Sequence, residues 1–237
     1  MSLENQKVIV IGGGSGMGFA IAKAATLHGA QVLIASRSVE KLNDAASNIG
    51  AGVTVHPVDL LDETSVAALF AAAGPIDHLL IPGSAVKTGP LAELPLDDAL
   101  FSMRSKYFGP YLCAKHAQIL PTGSLTLFSG ILSRRPGRND ALLAGINAAV
   151  EGMGRALAMD LAPIRVNVIS PGMTRGTDAY REMPDAAREA MYGSSAARLP
   201  AGRVGTPDDV AQLALMIMQN GFLTGTVIDL DGGGLLA

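Results

Sequence analysis

Tryptophan is absent and cysteine occurs once, at Cys113, in 237 residues. A lone thiol closes no intrachain disulfide and builds no multi-thiolate metal site, and its place in a helical pattern marks it as buried and inert. Charge is sparse: 16% of residues are Asp, Glu, Lys or Arg, with a net charge of −3 and a pI near 5.8, which leaves no basic footprint for nucleic acid. Long apolar windows are broken by Gly, Pro or charge before the roughly 18 residues a membrane span needs, so no membrane partner is expected. The opening MSLENQKVIVIGGG lacks the basic, then apolar, then small-residue order of a signal peptide, and a cytoplasmic location is expected. His28, His56, His78 and His116 are scattered without ligand spacing, so no metal is expected.

What remains is apolar and glycine-rich: 49% hydrophobic residues and 28 Gly, with a mean hydropathy of +0.32. Such a chain buries a large core, and its length suits a single domain over 1–237. Short β-branched runs alternate with alanine-rich helical patterns, the signature of βαβ units on a parallel sheet. The pattern predicts seven strands, at Lys7–Ile11, 31–35, 52–57, Ile76–Ile81, 124–129, 164–170 and Val227–Leu230. Helices are predicted at 16–28, 39–48, Glu63–Ala73, 97–120, 140–162, 177–192 and Pro207–Gln219. Continuously apolar strands such as VIVI and HLLI require helices on both sheet faces. Pro110 should kink or divide the fourth helix, because it has no N–H to give. Residues 171–200, rich in Gly and Pro and carrying Met173, Met183, Met191, Tyr180 and Tyr192, read as a mobile lid over a site.

The first strand runs into Gly12-Gly13-Gly14-Ser15-Gly16-Met17-Gly18 and then a helix. Glycines permit a tight turn and close approach of backbone to a pyrophosphate, which the free N–H groups of the following helix attract. The strand and helix on either side are the context that makes the motif a dinucleotide site. A ribose 2′-hydroxyl calls for a carboxylate about 20 residues on, and a 2′-phosphate for an Arg with small hydroxyls. Here Ala35 is followed by Ser36-Arg37-Ser38, with no acid before Glu40, so NADP(H) is expected over NAD(H). Asp59, next to Leu60 after the third strand, is a candidate acceptor for the adenine amino group; a helix cap is the alternative. Gly83, Pro171, Gly172 and Thr174 complete the candidate cofactor contacts.

Together, the Gly12/Gly16/Gly18 spacing, Asp59, Ile164-Arg165-Val166-Asn167 through Pro171-Gly172, Gly202-Arg203-Val204-Gly205-Thr206-Pro207-Asp208-Asp209, and the closing Asp229-Leu230-Asp231-Gly232-Gly233 resemble the short-chain dehydrogenase/reductase family over essentially the whole chain. The resemblance implies a Rossmann-type, doubly wound, seven-stranded α/β fold, a nicotinamide cofactor, carbonyl–alcohol chemistry on a small-molecule substrate, and a homodimer or homotetramer. It also exposes departures. Aligning Ala148-Ala149-Val150-Glu151-Gly152 with the family's long helix puts Leu143 in the place of the usual tyrosine and Asn147 in that of the usual lysine. The usual serine falls on Gly130, beside Ser129; the usual asparagine falls on Lys106; and the turn after the fourth strand reads Ile81-Pro82-Gly83-Ser84. Leucine has no proton to donate to a developing alkoxide, whereas Asn147 can still hold ribose hydroxyls.

Lys106, Ser129 and Asn147 are therefore the candidate catalytic residues, with Tyr107, Ser133, Tyr180 and Tyr192 as further substitutes. Arg134, Arg135 and Arg138 form either a substrate-anion site or a solvated edge. An NADP(H)-dependent oxidoreductase with a rebuilt proton donor is the leading expectation. A catalytically altered dinucleotide-binding or regulatory module, and a lyase or isomerase on the same fold, are the alternatives.

Overall fold

The computed structural model describes residues 2–177 and 180–237. Seven parallel strands, β1 (Lys7–Ile11), β2 (Gln31–Ser36), β3 (Val53–Pro57), β4 (Ile76–Ile81), β5 (Ile119–Phe128), β6 (Arg165–Pro171) and β7 (Val227–Leu230), form one sheet in the order β3-β2-β1-β4-β5-β6-β7. The chain turns back on itself between β1 and β4, and ligands of such sheets bind outside the strand ends at that point. Alternation along β1 feeds two cores. Val8 and Val10 pack beneath α1 (Gly16–Leu27), α2 (Val39–Ile49) and α8 (Pro207–Gln219). Ile9 and Ile11 face α3 (Glu63–Ala73), α5 (Gly109–His116) and α6 (Ala141–Asp160). Cys113 lies in this second core, where burial pushes its thiol up to about 12, as an inert thiol requires.

All seven expected strands are present, and two helices differ from expectation. The helix expected over 97–120 is three pieces: α4 (Leu96–Met103), a π-helical turn at Arg104–Phe108, and α5. Pro110 has no N–H for the usual bond four residues back, and Gly109 N–H reaches Arg104 O instead, which widens the turn. Nor does the helix reach residue 120. The backbone is extended at Ala117, and β5 starts at Ile119, paired with Ile76. The register then shifts between Ile76 and His78, where a Cβ on Gly123 would lie 2.0 Å from Asp77 O. That irregularity hid the first half of the strand from any periodic pattern. The helix expected over 177–192 is α7 (Asp185–Ala196), which begins after Pro184; part of the expected span, 178–179, lies outside the described residues. Arg165 and Asn167 of the IRVN stretch are structural: Arg165 donates to Ile217 O at 2.7 Å and Met218 O at 2.8 Å, and Asn167 to Leu223 O at 2.8 Å, tying down the end of α8.

His78 is enclosed in β4, with Nδ1 2.8 Å from Ser124 Oγ and Nε2 3.0 Å from Gln6 Oε1. Burial, reinforced by the Arg165 charge, lowers its pKa to about 4. The unfolded chain therefore takes up a proton near pH 6.5 that the folded chain refuses until about pH 4. Stability should be full above pH 6.5 and fall by about 2–3 kcal/mol as pH drops toward 4. Urea unfolding of wild type and His78→Gln across that window checks this: the variant should lose most of the slope, and equal slopes would show that His78 is not the responsible group.

Candidate active site

β1 ends in a backbone crossing that excludes side chains. A Cβ on Gly12, whose φ is +85°, would sit 2.5 Å from Gly83 Cα, and one on Gly18 would sit 2.2 Å from Gly12 O. The crossing is bonded on both sides, Gly12 N–H to Ala35 O at 2.6 Å and Gly83 N–H to Ile11 O at 3.0 Å. It aims the first turn of α1 at the strand ends. That turn carries no acidic residue and no side-chain cap, so its N–H groups and the positive end of the helix dipole face outward.

These strand ends border one cleft of about 1330 Å³. Every residue expected from sequence to touch a cofactor lines it: Gly12, Gly14, Ser15, Gly16, Met17 and Gly18; Ser36, Arg37 and Ser38; Asp59, Leu60 and Gly83; and Asn147, Pro171, Gly172 and Thr174. Lys106 and Ser129 line it as well. At the β2–α2 corner Ser38 caps α2 by accepting from Lys41 N–H at 3.3 Å, and Arg37 is exposed with no acidic partner among the described residues. Lys41 is a second cation of this corner that the sequence reading missed; it lies against Gly14 and also lines the cleft. A lysine in the first turn of a helix opposes the dipole, which was a legible sign of an anion there. Asp59 is not the cap of α3. Asp62 accepts from Thr64 N–H at 2.9 Å in that role, while Asp59 Oδ1 accepts from Leu61 N–H at 3.0 Å within its own turn.

The other half of the cleft is built by the π turn, the end of β5 and α6. The widened turn carries Lys106, whose Nζ donates to Ser129 O at 3.3 Å. Its side chain keeps some exposure toward the cleft, yet protein packs around the ammonium closely enough that burial lowers its pKa to about 8. On α6, Leu143 and Asn147 both line the cleft, one helical turn apart. Asn147 is 2% exposed and its Oδ1 has no partner, a buried acceptor facing a cavity.

One turn further along α6 is Glu151, 6% exposed, which the sequence reading passed over as part of an alignment block. Its Oε1 accepts from Ser129 Oγ at 3.1 Å and Ser133 Oγ at 2.6 Å, and Arg134 is 3.6 Å away. Ser129 and Ser133 thus spend their hydroxyls on Glu151. Its signal in the sequence was an acid spaced four from Asn147 on a helix face that must be buried. The three arginines part company: Arg134 pairs with Asp229 at 2.7 Å and Ser170 at 3.0 Å, Arg138 is exposed and does not line the cleft, and Arg135 lines it. Tyr107 packs on the second core rather than the cleft. Tyr192 is buried, edge-to-face with Tyr180 at 6.2 Å; Tyr180 lines the cleft, and burial raises its hydroxyl pKa. Beyond β6 the chain passes over the glycine turn, so that a Cβ on Gly16 would meet Gly176 O at 2.8 Å, and Thr177 Oγ1 is buried there without a partner.

Known proteins resemble this chain in sequence and fold. A family model described as enoyl-(acyl carrier protein) reductase matches residues 12–234. The short-chain dehydrogenase/reductase ucsE of Acremonium sp is 32% identical, over 99% of this chain and 97% of its own. A solved small-chain dehydrogenase in complex with NADPH superposes with a TM-score of 0.82 at 36% identity, covering 99% of this chain and 100% of that one. The MalC reductase/Diels-Alderase of Malbranchea aurantiaca does so at 0.91 and 30%, covering 99% and 98%. The chain belongs to the short-chain dehydrogenase/reductase family.

Glu151→Ala should cost about 2 kcal/mol, since it strands the buried Ser129 hydroxyl, leaves the half-buried Ser133 hydroxyl only Gly130 O at 3.1 Å, and half-releases Arg134. All three contacts converge on Oε1, so Glu151→Gln, which keeps one such oxygen, should cost less than about 1 kcal/mol. Denaturant titration of both variants checks this; equal losses would show that the hydrogen-bonding oxygen is not what matters.

Proposed function

We propose that this protein is an NADP(H)-dependent oxidoreductase that reduces a carbonyl group of a small molecule to an alcohol, with Lys106 as the proton donor. The observation that carries the reading is a single cleft with a glycine cradle and two unpaired cations, Arg37 and Lys41, at one end and the Lys106 ammonium at the other. The residues fit the cofactor on three counts. The Gly12–Gly83 crossing admits a diphosphate against the α1 amides; Ser36, Arg37, Ser38 and Lys41 match a 2′-phosphate; and the orphaned Asn147 Oδ1 accepts from a ribose hydroxyl. The NADPH complex of the 36% identical relative supports the same choice.

The bound nucleotide supplies the hydride. Lys106 supplies the proton: as the substrate oxygen gains charge, an N–H bond of the ammonium breaks toward it, and the neutral amine recovers a proton from water. A pKa near 8 makes this ammonium a stronger acid than a lysine in water, yet leaves most of it protonated at neutral pH. Ser129 acts through its carbonyl, which holds Nζ, while its hydroxyl is held by Glu151. Leu143 stands in the place of the family's tyrosine and offers only apolar surface, and residues 171–200 act as the lid. Exposed Leu100, Phe108 and Tyr111, on α4, the π turn and α5, support pairing of subunits. A binding module without turnover is the second reading, favoured by Leu143.

NADPH should bind more tightly than NADH, and Arg37→Asp should weaken NADPH by about tenfold or more while sparing NADH; equal losses would remove the phosphate contact. Against a panel of aldehydes, ketones and quinones, NADPH oxidation should hold steady below pH 8 and decline above it as Lys106 loses its proton. Lys106→Met should lower kcat by about 10²–10⁴-fold. Tight NADPH binding with no oxidation across the panel would favour the module.

A further inference from the structure

The cleft is cationic in a chain whose net charge is −3. Arg37, Lys41, Lys106, Arg135 and Arg198 line it, while its acidic lining side chains are Asp59 and Asp140. Both acids are engaged by backbone, Asp59 with Leu61 N–H and Asp140 with Gly137 N–H at 2.8 Å. Elsewhere many cations have an acid in contact: Lys87 with Asp98, Lys115 with Glu63, Arg175 with Glu189, Arg188 with Asp185, Arg203 with Asp209, and Arg134 with Asp229. Among the described residues none of the five cleft cations has one. Lys106 and Arg135 donate to the uncharged carbonyls of Ser129 and Gly234.

Two of the five belong to the β2–α2 corner and are accounted for by a 2′-phosphate. The other three stand apart from it. β2 and β5 are separated by β1 and β4, about 14 Å at ordinary strand spacing. Lys106 and Arg135 both belong to the β5 side, Lys106 through its bond to Ser129 and Arg135 just beyond the strand. Arg198 shares the rim with Arg135: Arg135 bonds Gly234 O, and Leu199, next to Arg198, packs on the same 232–234 turn. Apolar side chains, Val86, Phe101, Ile131, Leu132, Leu143 and Met173, line the same cleft. Uncompensated cations in a partly enclosed, apolar site raise the local concentration of an anion and bind it more strongly than they would in open water.

We infer that the substrate of this cleft is an amphiphilic anion, an apolar or aromatic body bearing a carboxylate or phosphate head that Arg135 and Arg198 hold at the rim while Lys106 faces the carbonyl. The inference rests on the proposed reduction for the role of Lys106, but the anion site is measurable without turnover. Calorimetric titration of the NADPH-loaded protein with 2-naphthoate, 2-naphthyl phosphate and 2-naphthamide compares two acids and a neutral analogue on one aromatic body. At least one acid should bind about tenfold or more tightly than the amide, and the tighter acid identifies the head group. That preference should shrink with added salt and in Arg135→Gln and Arg198→Gln, and persist in Arg37→Gln. Equal binding of all three compounds, or an acid preference untouched in the Arg135→Gln/Arg198→Gln double variant, would overturn the inference. If the protein binds no NADPH, the cofactor reading fails by itself, and the same titrations on unloaded protein still decide the anion site, because the rim and corner variants tell the two ends apart.

Discussion

The site depends on one steric constraint: two backbones cross at the ends of β1 and β4 with no room for a side chain between them. Gly12 and Gly83 meet there, and Gly18 brings the first turn of α1 down onto the carbonyl of Gly12. Any Cβ would push the helix off the sheet or the strands apart. From the crossing follow the direction of the α1 amides, the opening between β1 and β4, and the room for a diphosphate against bare backbone. The continuously buried strands on either side hold it rigid, so the cradle exists before any ligand arrives.

A second irregularity of backbone places Lys106. Pro110 cannot close an α-helical turn, the chain widens to a π turn, and Lys106 lies in the widened stretch with its ammonium on Ser129 O. Burial lowers the pKa of this lysine to about 8, so its ammonium gives up a proton more readily than that of a lysine in water. Glu151 stabilises the other partner of that contact by gathering Ser129 and Ser133 onto one carboxylate oxygen. On the proposed reading the proton donor therefore stands on the π turn rather than on α6.

Much of this was legible in the sequence. Short β-branched, continuously apolar runs located seven strands, because a strand buried on both faces has few other ways to be written. Glycine spacing located the cradle, since steric exclusion at a crossing leaves a residue no alternative. What stayed hidden was set by tertiary contact. The start of β5 was concealed by its register shift, and Pro110 announced a break without revealing where Lys106 would point. Asp59 was open as a helix cap until the backbone gave that role to Asp62. Arg134, Arg135 and Arg138 looked alike in sequence, yet one pairs with Asp229, one lines the cleft and one is exposed outside its lining. Glu151 was the largest omission, because an acid on a buried helix face shows its purpose only once its donors are in place.

The most direct test of the account is a crystal structure of the protein with NADP⁺. It should show the diphosphate on the amides at the start of α1, the 2′-phosphate among Ser36, Arg37, Ser38 and Lys41, a ribose hydroxyl on Asn147 Oδ1, and the nicotinamide ring in the half of the cleft bordered by Lys106 and Leu143. A nucleotide seated elsewhere, or bound with its 2′-phosphate in solvent and Lys106 far from the ring, would contradict it.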